Sequence, residues 1–175
     1  MEVIYEDNHI IIVNKAVGEI VQGDRTGDIP LVETVRQYIK EKYAKPGNVF
    51  CGVVHRLDRP VGGLVVFAKT SKALARLNEM FREGKIKKTY WAITRGCPAE
   101  ESARLEGYIT SVERNNKSYY SLSPSDGAKR AALSYRLLAR GERYNLLEVN
   151  LETGRKHQIR VQLASIGCPI KGDLK

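Results

Sequence analysis

The sequence has few of the residues that hold metals, nucleotide cofactors or disulfide frameworks. Its 175 residues include three cysteines, Cys51, Cys97 and Cys168. Their number and spacing fit neither a disulfide framework nor a zinc site. The glycine pattern of dinucleotide-binding folds and the phosphate-loop lysine motif are also missing. We therefore predict idle or buried thiols in a reducing compartment, and no metal.

Long hydrophobic runs are missing as well. No apolar stretch approaches the roughly 20 residues that span a membrane. The first ten residues, MEVIYEDNHI, have neither the basic start nor the apolar core of a secretory signal. We expect a soluble cytoplasmic protein without membrane contact, and a monomer with no obligate protein partner.

Positive charge is in excess. The chain has 29 lysines and arginines against 20 aspartates and glutamates, a net charge of +9. Such an excess favours a polyanionic partner, because neutralised phosphates release their counterions. The basic residues are spread along the chain, so the fold has to assemble any binding face. The alternative is a basic, solvated surface with no nucleic-acid partner.

Strands outnumber helices in the hydrophobic pattern, and they follow one another in hairpin-like series. This predicts an α+β fold with a mainly antiparallel sheet and a few flanking helices, in one domain over residues 1–175. Loops are predicted at Lys15–Pro30 and across most of Glu100–Lys129. The predicted helices are Leu31–Tyr43, one capped by Ser71, and His157–Ser165; the predicted strands are Val3–Tyr5, Ile10–Asn14, Leu64–Ala68, Ile86–Thr94, Tyr119–Leu122, Ala131–Ala139 and Leu146–Leu151.

The segment VHRLDRPVGG contains a candidate catalytic carboxylate. Asp58 lies between two apolar strands and is flanked by Arg56 and Arg59, so it is expected to be ionised and able to act as a nucleophile or base. An isolated pattern of this kind is more often a loop aspartate in surface ion pairs.

Two further segments carry candidate functional side chains. In LETGRKHQIRVQL, polar residues surround the start of a predicted helix whose apolar residues anchor it. In KKTYWA, Tyr90 alternates with Thr89 and Trp91 on a predicted strand and is expected to point inward. The ordinary interpretation of the first segment is a helix whose charged face is exposed to solvent. The ordinary interpretation of the second is a tyrosine buried in the core. The polar residues of the first segment are Arg155, His157, Gln158 and Arg160.

Taken together and in order, these segments closely resemble the RluA-type pseudouridine synthases. The resemblance rests on HRLDRPVGGLVVFAKT, KKTYWAI and LETGRKHQIRVQLASIGCPIKGD, and on the opening YEDNHIIIVNKAVGEIV. It implies an enzyme that isomerises uridine in RNA, with no cofactor. It also implies one long, bent sheet with a central active-site cleft.

The resemblance also assigns roles to residues. It implies that Asp58 is the nucleophile and that Arg56 fills the space left by the flipped-out base. Tyr90 matches a tyrosine that lies against the base, and Arg160 matches the basic residue that pairs with the catalytic carboxylate. We expect the remaining substrate contacts from His55, Arg59, Arg155, His157 and Gln158.

The sequence departs from the family pattern in two places. Val61–Gly62 stands where relatives usually have Thr-Ser, so two hydroxyls that could hold the Asp58 loop are missing. The chain also looks short at its C-terminus and lacks the small N-terminal RNA-binding domain of some relatives. We therefore expect the catalytic domain itself to bind RNA.

Three functions remain open at this point. The first is a synthase acting on ribosomal or transfer RNA. The second is a non-catalytic RNA-binding protein on the same scaffold, and the third is a basic domain with no RNA partner. The predicted loops are expected to choose the target. Candidate phosphate contacts there are Arg104, Arg114, Lys117, Lys129 and Arg130.

Overall fold

The structure, a computed structural model, describes residues 1–112, 114 and 116–173. The chain divides into two compact units, Met1–Lys85 and Ile86–Lys175. Each unit has its own sheet and its own hydrophobic core. No helix in the described ranges is long and apolar enough to cross a membrane.

The first unit is a four-stranded antiparallel sheet with two helices, and its strand order is β1-β2-β4-β3. Strand β2 alternates between buried and more exposed residues, so Ile11, Val13 and Lys15 share its buried face. The elements are β1 (Glu2–Glu6), β2 (Ile10–Lys15), α1 (Leu31–Lys42), β3 (Gly52–Val53), β4 (Gly63–Ala68) and α2 (Ser71–Arg82).

Helix α2 begins one residue away from the predicted cap. The hydroxyl oxygen of Thr70 accepts a hydrogen bond from the backbone N–H of Ala73 at 3.1 Å, so Thr70 is the N-cap and Ser71 is the first helical residue. Extended backbone angles at Thr70 suit that position. The prediction of Ser71 as the cap was therefore wrong by one residue.

The second unit is a five-stranded antiparallel sheet with one helix, and its strand order is β5-β9-β8-β6-β7. Its core packs Leu133, Leu147 and Val149 of the sheet with Leu163 of the helix. The elements are β5 (Lys88–Thr94), β6 (Ser102–Val112), β7 (Lys117–Ser121), β8 (Lys129–Arg140), β9 (Asn145–Leu151) and α3 (Gln158–Ser165).

The predicted α+β class with antiparallel pairing is confirmed, but the loop predicted across Glu100–Lys129 was wrong over much of its length. Strand β6 fills 11 residues of it. Gly107 hid this strand, because a glycine inside an alternating pattern weakens it. A Cβ at Gly107 would lie 2.6 Å from the carbonyl oxygen of Ser121, so β7 approaches too closely for any other residue.

A buried carboxylate at the end of β1 ties the first unit together. Glu6 accepts hydrogen bonds from Lys42, Lys69, Tyr38 and Tyr43 at 2.7, 2.7, 3.1 and 2.8 Å. Its side chain is 7% exposed. Burial alone would raise the pKa of Glu6, but the four hydrogen bonds outweigh it and lower the pKa to about 2.

We predict that Glu6→Gln lowers the free energy of unfolding by roughly 1–3 kcal/mol at neutral pH, because the buried Lys69 ammonium loses its charged partner. A depressed carboxyl pKa stabilises the fold above the ordinary value of 4.5, and this stabilisation is lost as the pH falls towards about 2. Urea unfolding from pH 7 to pH 3 should therefore show the difference from wild type shrinking below about pH 4.5. Glu142→Gln, at an exposed loop position, is the control. A difference that stays constant down to pH 3 would contradict this account.

Candidate active site

Asp58 lies on the loop of residues 54–62 between β3 and β4, called here the Asp58 loop. Leu57 packs against the core of the first unit, whereas the Asp58 side chain is exposed. The backbone N–H of Val61 donates to the Asp58 carbonyl at 2.9 Å and closes a turn. Within the described part of the chain, the Asp58 carboxylate makes no hydrogen bond or ion pair. It is therefore held by its backbone and open to a ligand.

The ammonium group of Lys15 fixes the backbone of the Asp58 loop by hydrogen bonds. Lys15 is 1% exposed, and its ammonium group donates to the carbonyls of Asp58, Arg59 and Val61 at 3.3, 3.2 and 2.6 Å. It also donates to the carbonyl of Ala16 at 3.1 Å. Burial lowers the pKa of Lys15, although the nearby charges of Glu19 and Asp58 act in the opposite direction.

Backbone contacts complete this support. The N–H of Gly18 donates to the carbonyl of Arg59 at 2.9 Å. Gly63 has a φ of +130°, which L side chains rarely adopt, so a glycine is needed where the loop enters β4. The loop is thus held by an ammonium group and backbone amides.

Sequence analysis did not identify Lys15 as part of the site. The alternation of residues along β2 could have identified it, because Lys15 falls on the same strand face as Ile11 and Val13. A lysine in phase with buried residues has to find oxygen partners inside the protein. The carbonyls of the Asp58 loop are those partners.

The neighbours of Asp58 have partners that the sequence did not predict. The guanidinium of Arg59 forms an ion pair with Asp28, in the loop that follows β2. His55 accepts a hydrogen bond at Nε2 from the N–H of Val66 at 3.1 Å and stacks on Phe81 with ring centroids 5.2 Å apart. His55 therefore ties the loop to β4 and α2. Arg56 is exposed.

In the second unit, Tyr90 points inward from β5, as predicted. It is half-buried and packs against the core that contains Val149 and Leu163. Its neighbours Thr89 and Trp91 face the other way, and Trp91 is 73% exposed.

Arg160 has a carboxylate partner within its own unit. Its Nε donates to Oδ2 of Asp173 at 2.7 Å, and Nη2 donates to Oδ1. The segment that carries Asp173 is itself fixed, since the N–H of Lys171 donates to the carbonyl of Ile93 at 2.7 Å. Asp173 is the last residue of the motif LETGRKHQIRVQLASIGCPIKGD, and no role was predicted for it. The structure shows that it orients Arg160.

The turn before α3 is built around Gln158. Gln158 is 2% exposed; its Oε1 accepts from the hydroxyl of Thr153 at 2.8 Å and the N–H of Arg155 at 2.9 Å. Its Nε2 donates to the carbonyl of Ala132 at 3.0 Å. A side chain buried and engaged in this way shapes the turn. That Gln158 also contacts the substrate stays a prediction.

His157 occupies a strained position at the start of α3. Its φ of 57° lies in the left-handed region, which non-glycine residues seldom adopt. Its Nδ1 lies 3.4 Å from the hydroxyl oxygen of Ser118, which is 3.2 Å from that of Ser111. These contacts join the helix to the β6–β7 hairpin.

Two of the predicted phosphate contacts are occupied by carboxylates. Arg104 pairs with Glu106 and Glu152, and Arg130 also pairs with Glu106. An RNA phosphate would have to compete with these ion pairs. Lys129 has no such pair among the described residues.

No group of three His, Cys, Asp or Glu side chains in the described ranges is arranged to hold a metal ion.

The two segments that carry Asp58 and Arg160 both fall inside a region typical of one protein family. The sequence profile of that family, RNA pseudouridylate synthase, matches residues 9–165. The chain belongs to the RNA pseudouridylate synthase family. The match includes Lys15 and Tyr90 and ends before Asp173.

Relatives with assigned names agree with this membership. Over 99% of its length, the chain is 36% identical to ribosomal large subunit pseudouridine synthase D of Zymomonas mobilis and spans 55% of that protein. It is 34% identical, again over 99% of its length, to tRNA pseudouridine synthase C of Vibrio parahaemolyticus and spans 72% of it. The chain thus spans about half the length of the first relative.

A solved structure shows the same fold. Human RNA pseudouridylate synthase domain containing 4 superposes with a TM-score of 0.83 at 26% sequence identity. The match covers 98% of this chain and 67% of the human one. The α+β architecture is therefore that of pseudouridylate synthase domains.

We predict that Lys15→Met loosens the Asp58 loop of this synthase-family fold. Methionine keeps the shape of the side chain but removes the donors that hold three loop carbonyls. Hydrogen exchange at the Gly18 and Val61 amides should accelerate at least about tenfold, which corresponds to about 1.4 kcal/mol of local stability. Lys40→Met, at an exposed position on α1, is the control. Unchanged exchange at both amides in the Lys15 variant would show that the ammonium group does not fix the loop.

We also predict that Asp173→Asn lowers stability by roughly 1.5–3 kcal/mol, because the hydrogen bonds to the Arg160 guanidinium lose their charge assistance. Chemical denaturation should show this loss. Asp126→Asn, in an exposed loop, should leave stability within about 0.5 kcal/mol of wild type. An Asp173 variant as stable as the Asp126 variant would contradict an orienting role for this ion pair.

Proposed function

We propose that this chain converts specific uridines to pseudouridine in structured RNA, ribosomal or transfer, with Asp58 as the nucleophile. Family membership supports the reaction class. The observation that carries the assignment of Asp58 is the geometry of its loop. Buried Lys15 holds the loop carbonyls while the carboxylate stays exposed. A nucleophile needs a fixed backbone and an accessible side chain, and Asp58 has both.

The proposed reaction balances without an added reactant. The bond between the ribose and N1 of uracil breaks, and a bond between the ribose and carbon 5 forms. The proton that leaves carbon 5 is matched by the proton that N1 gains. Nothing is oxidised or reduced, and no water is consumed. A carboxylate and a proton shuttle therefore suffice.

The other residues take the roles that the resemblance implies. The target base has to leave its stack, which costs a few kcal/mol. Exposed Arg56 would stack in the vacated space and offset part of that cost. Tyr90 would shuttle a proton. The role of Arg160, electrostatic support of the catalytic carboxylate, rests on the resemblance alone.

The chain's charge supports RNA as the substrate. A net charge of +9 attracts a polyanion, and binding of this kind weakens as salt rises. We propose that the regions predicted to select the target, residues 15–30 and 100–129, contact the RNA around the reacting uridine.

We predict that Asp58→Asn lowers conversion of uridine by at least about 10³-fold, since asparagine is isosteric but cannot act as the nucleophile. RNA binding should stay within a few-fold of wild type. The assay incubates the purified protein with total RNA from cells that lack the gene and counts pseudouridines with a label specific for them. Glu142→Gln is the control, because it removes one exposed carboxylate elsewhere.

The possible results separate the candidate functions. Near-wild-type conversion by Asp58→Asn would overturn the assignment of Asp58. RNA binding by the wild-type protein without any new pseudouridine would favour a non-catalytic RNA-binding protein instead. Weak binding that does not respond to salt would argue against an RNA partner altogether.

A further inference from the structure

The second unit contains a small basic pocket to which the proposed reaction assigns no role. It has a volume of about 370 Å³ and lies where β6 ends, β8 begins and the turn before α3 passes. We call it the basic pocket. Its walls are Ile109, Ser111, Gly127, Lys129, Gly154, Arg155 and Lys156. We propose that the basic pocket binds a phosphate of the RNA backbone.

The charge of the lining supports an anionic ligand. Three of the seven lining residues are cations, and no carboxylate lines the pocket within the described part of the chain. Lys129, Arg155 and Lys156 form no ion pair with any carboxylate in those described ranges. Two carboxylates of the same sheet, Glu106 and Glu152, are paired with Arg104 and Arg130. A net positive pocket of this kind favours a phosphate.

The lowered pKa of a neighbouring lysine, Lys88, agrees with a positive electrostatic potential at the pocket. Burial lowers the pKa of Lys88, and the charge of Arg155 lowers it further. Lys88 lies close to the pocket wall, since a Cβ at Gly154 would be 3.4 Å from its Nζ. A bound anion would relieve this repulsion between cations.

Arg155 is oriented before any ligand arrives. Its Nε donates to the carbonyl of Arg130 at 2.8 Å, and its backbone N–H donates to Oε1 of Gln158 at 2.9 Å. The two Nη nitrogens are then the ones that can reach a ligand. A guanidinium held in this way loses less entropy when it binds a phosphate.

Two glycines and a serine make the rest of the wall suitable for a phosphodiester. Gly127 has a φ of +71°, and a Cβ there would meet nothing within 4 Å, so the wall is open at this point. The Ser111 hydroxyl is a further donor, 3.2 Å from that of Ser118. Among the described residues that line the pocket, buried Ile109 supplies the one apolar side chain, so the pocket suits the phosphate rather than a base.

The inference rests on the proposed function, because that function supplies RNA as the ligand. Its test is a binding titration, which needs no turnover. The probe is bulk bacterial transfer RNA, and the full chain is used. The test variant carries Lys129→Gln and Lys156→Gln; Arg155 is left in place because its Nε helps to form the turn. The control variant carries Lys40→Gln and Arg143→Gln, which remove two exposed charges elsewhere.

The pocket variant should bind the transfer RNA at least about tenfold more weakly than the control variant at 0.1 M salt. The slope of log K against log salt should also become shallower by about 1, since the loss of one phosphate contact removes about 0.9 from it. Matching thermal unfolding curves for both variants would show that the fold is intact. Equal affinities and equal slopes in the two variants would overturn the proposal.

A second titration distinguishes an RNA phosphate from a free anion as the ligand of the basic pocket. Inorganic phosphate is titrated alone while the amide resonances of Gly127 and Gly154 are followed. Shifts with inorganic phosphate, together with no difference between the variants for transfer RNA, would mean a free-anion site and would overturn the RNA assignment. Conversion assayed separately with Asp58→Asn shows whether any failure belongs to the pocket or to the proposed reaction.

Discussion

A buried ammonium group surrounded by backbone carbonyls gives the Asp58 loop its shape. Lys15 donates to three carbonyls of that loop from the end of β2. The cost of burying its charge is offset because backbone carbonyls of the loop and of Ala16 accept its hydrogen bonds. The carboxylate of Asp58 is thereby placed by contacts that leave it exposed. If that geometry were lost, the motif would be present in the sequence without a positioned candidate nucleophile.

The sequence predicted the class of fold and the location of the candidate nucleophile. Alternating strands and a helix with regular apolar spacing are local signals, so α1, β4 and α3 were found within a few residues. The position of Asp58 came from a resemblance that covers a long, ordered set of motifs. The inward direction of Tyr90 followed from strand alternation alone.

The missed features depend on contacts between residues far apart in the chain. Lys15 and the Asp58 loop are separated by more than forty residues, and Arg160 meets Asp173 only because a turn returns to β5. Strand β6 was hidden by Gly107, which is required by the close approach of β7. The sequence did not predict the ion pairs of Arg104 and Arg130 with Glu106 and Glu152, which the sheet brings beside them. Side-chain partners across a sheet depend on register, which local patterns do not encode.

The most direct measurement is a map of pseudouridines in total RNA from cells that lack the gene, after the wild-type gene or an Asp58→Ala version is restored. The account predicts that one or a few pseudouridines disappear with the gene, return with the wild type and stay absent with the alanine variant. Restoration of the same sites by Asp58→Ala would contradict it, because the positioned carboxylate would then have no part in the reaction.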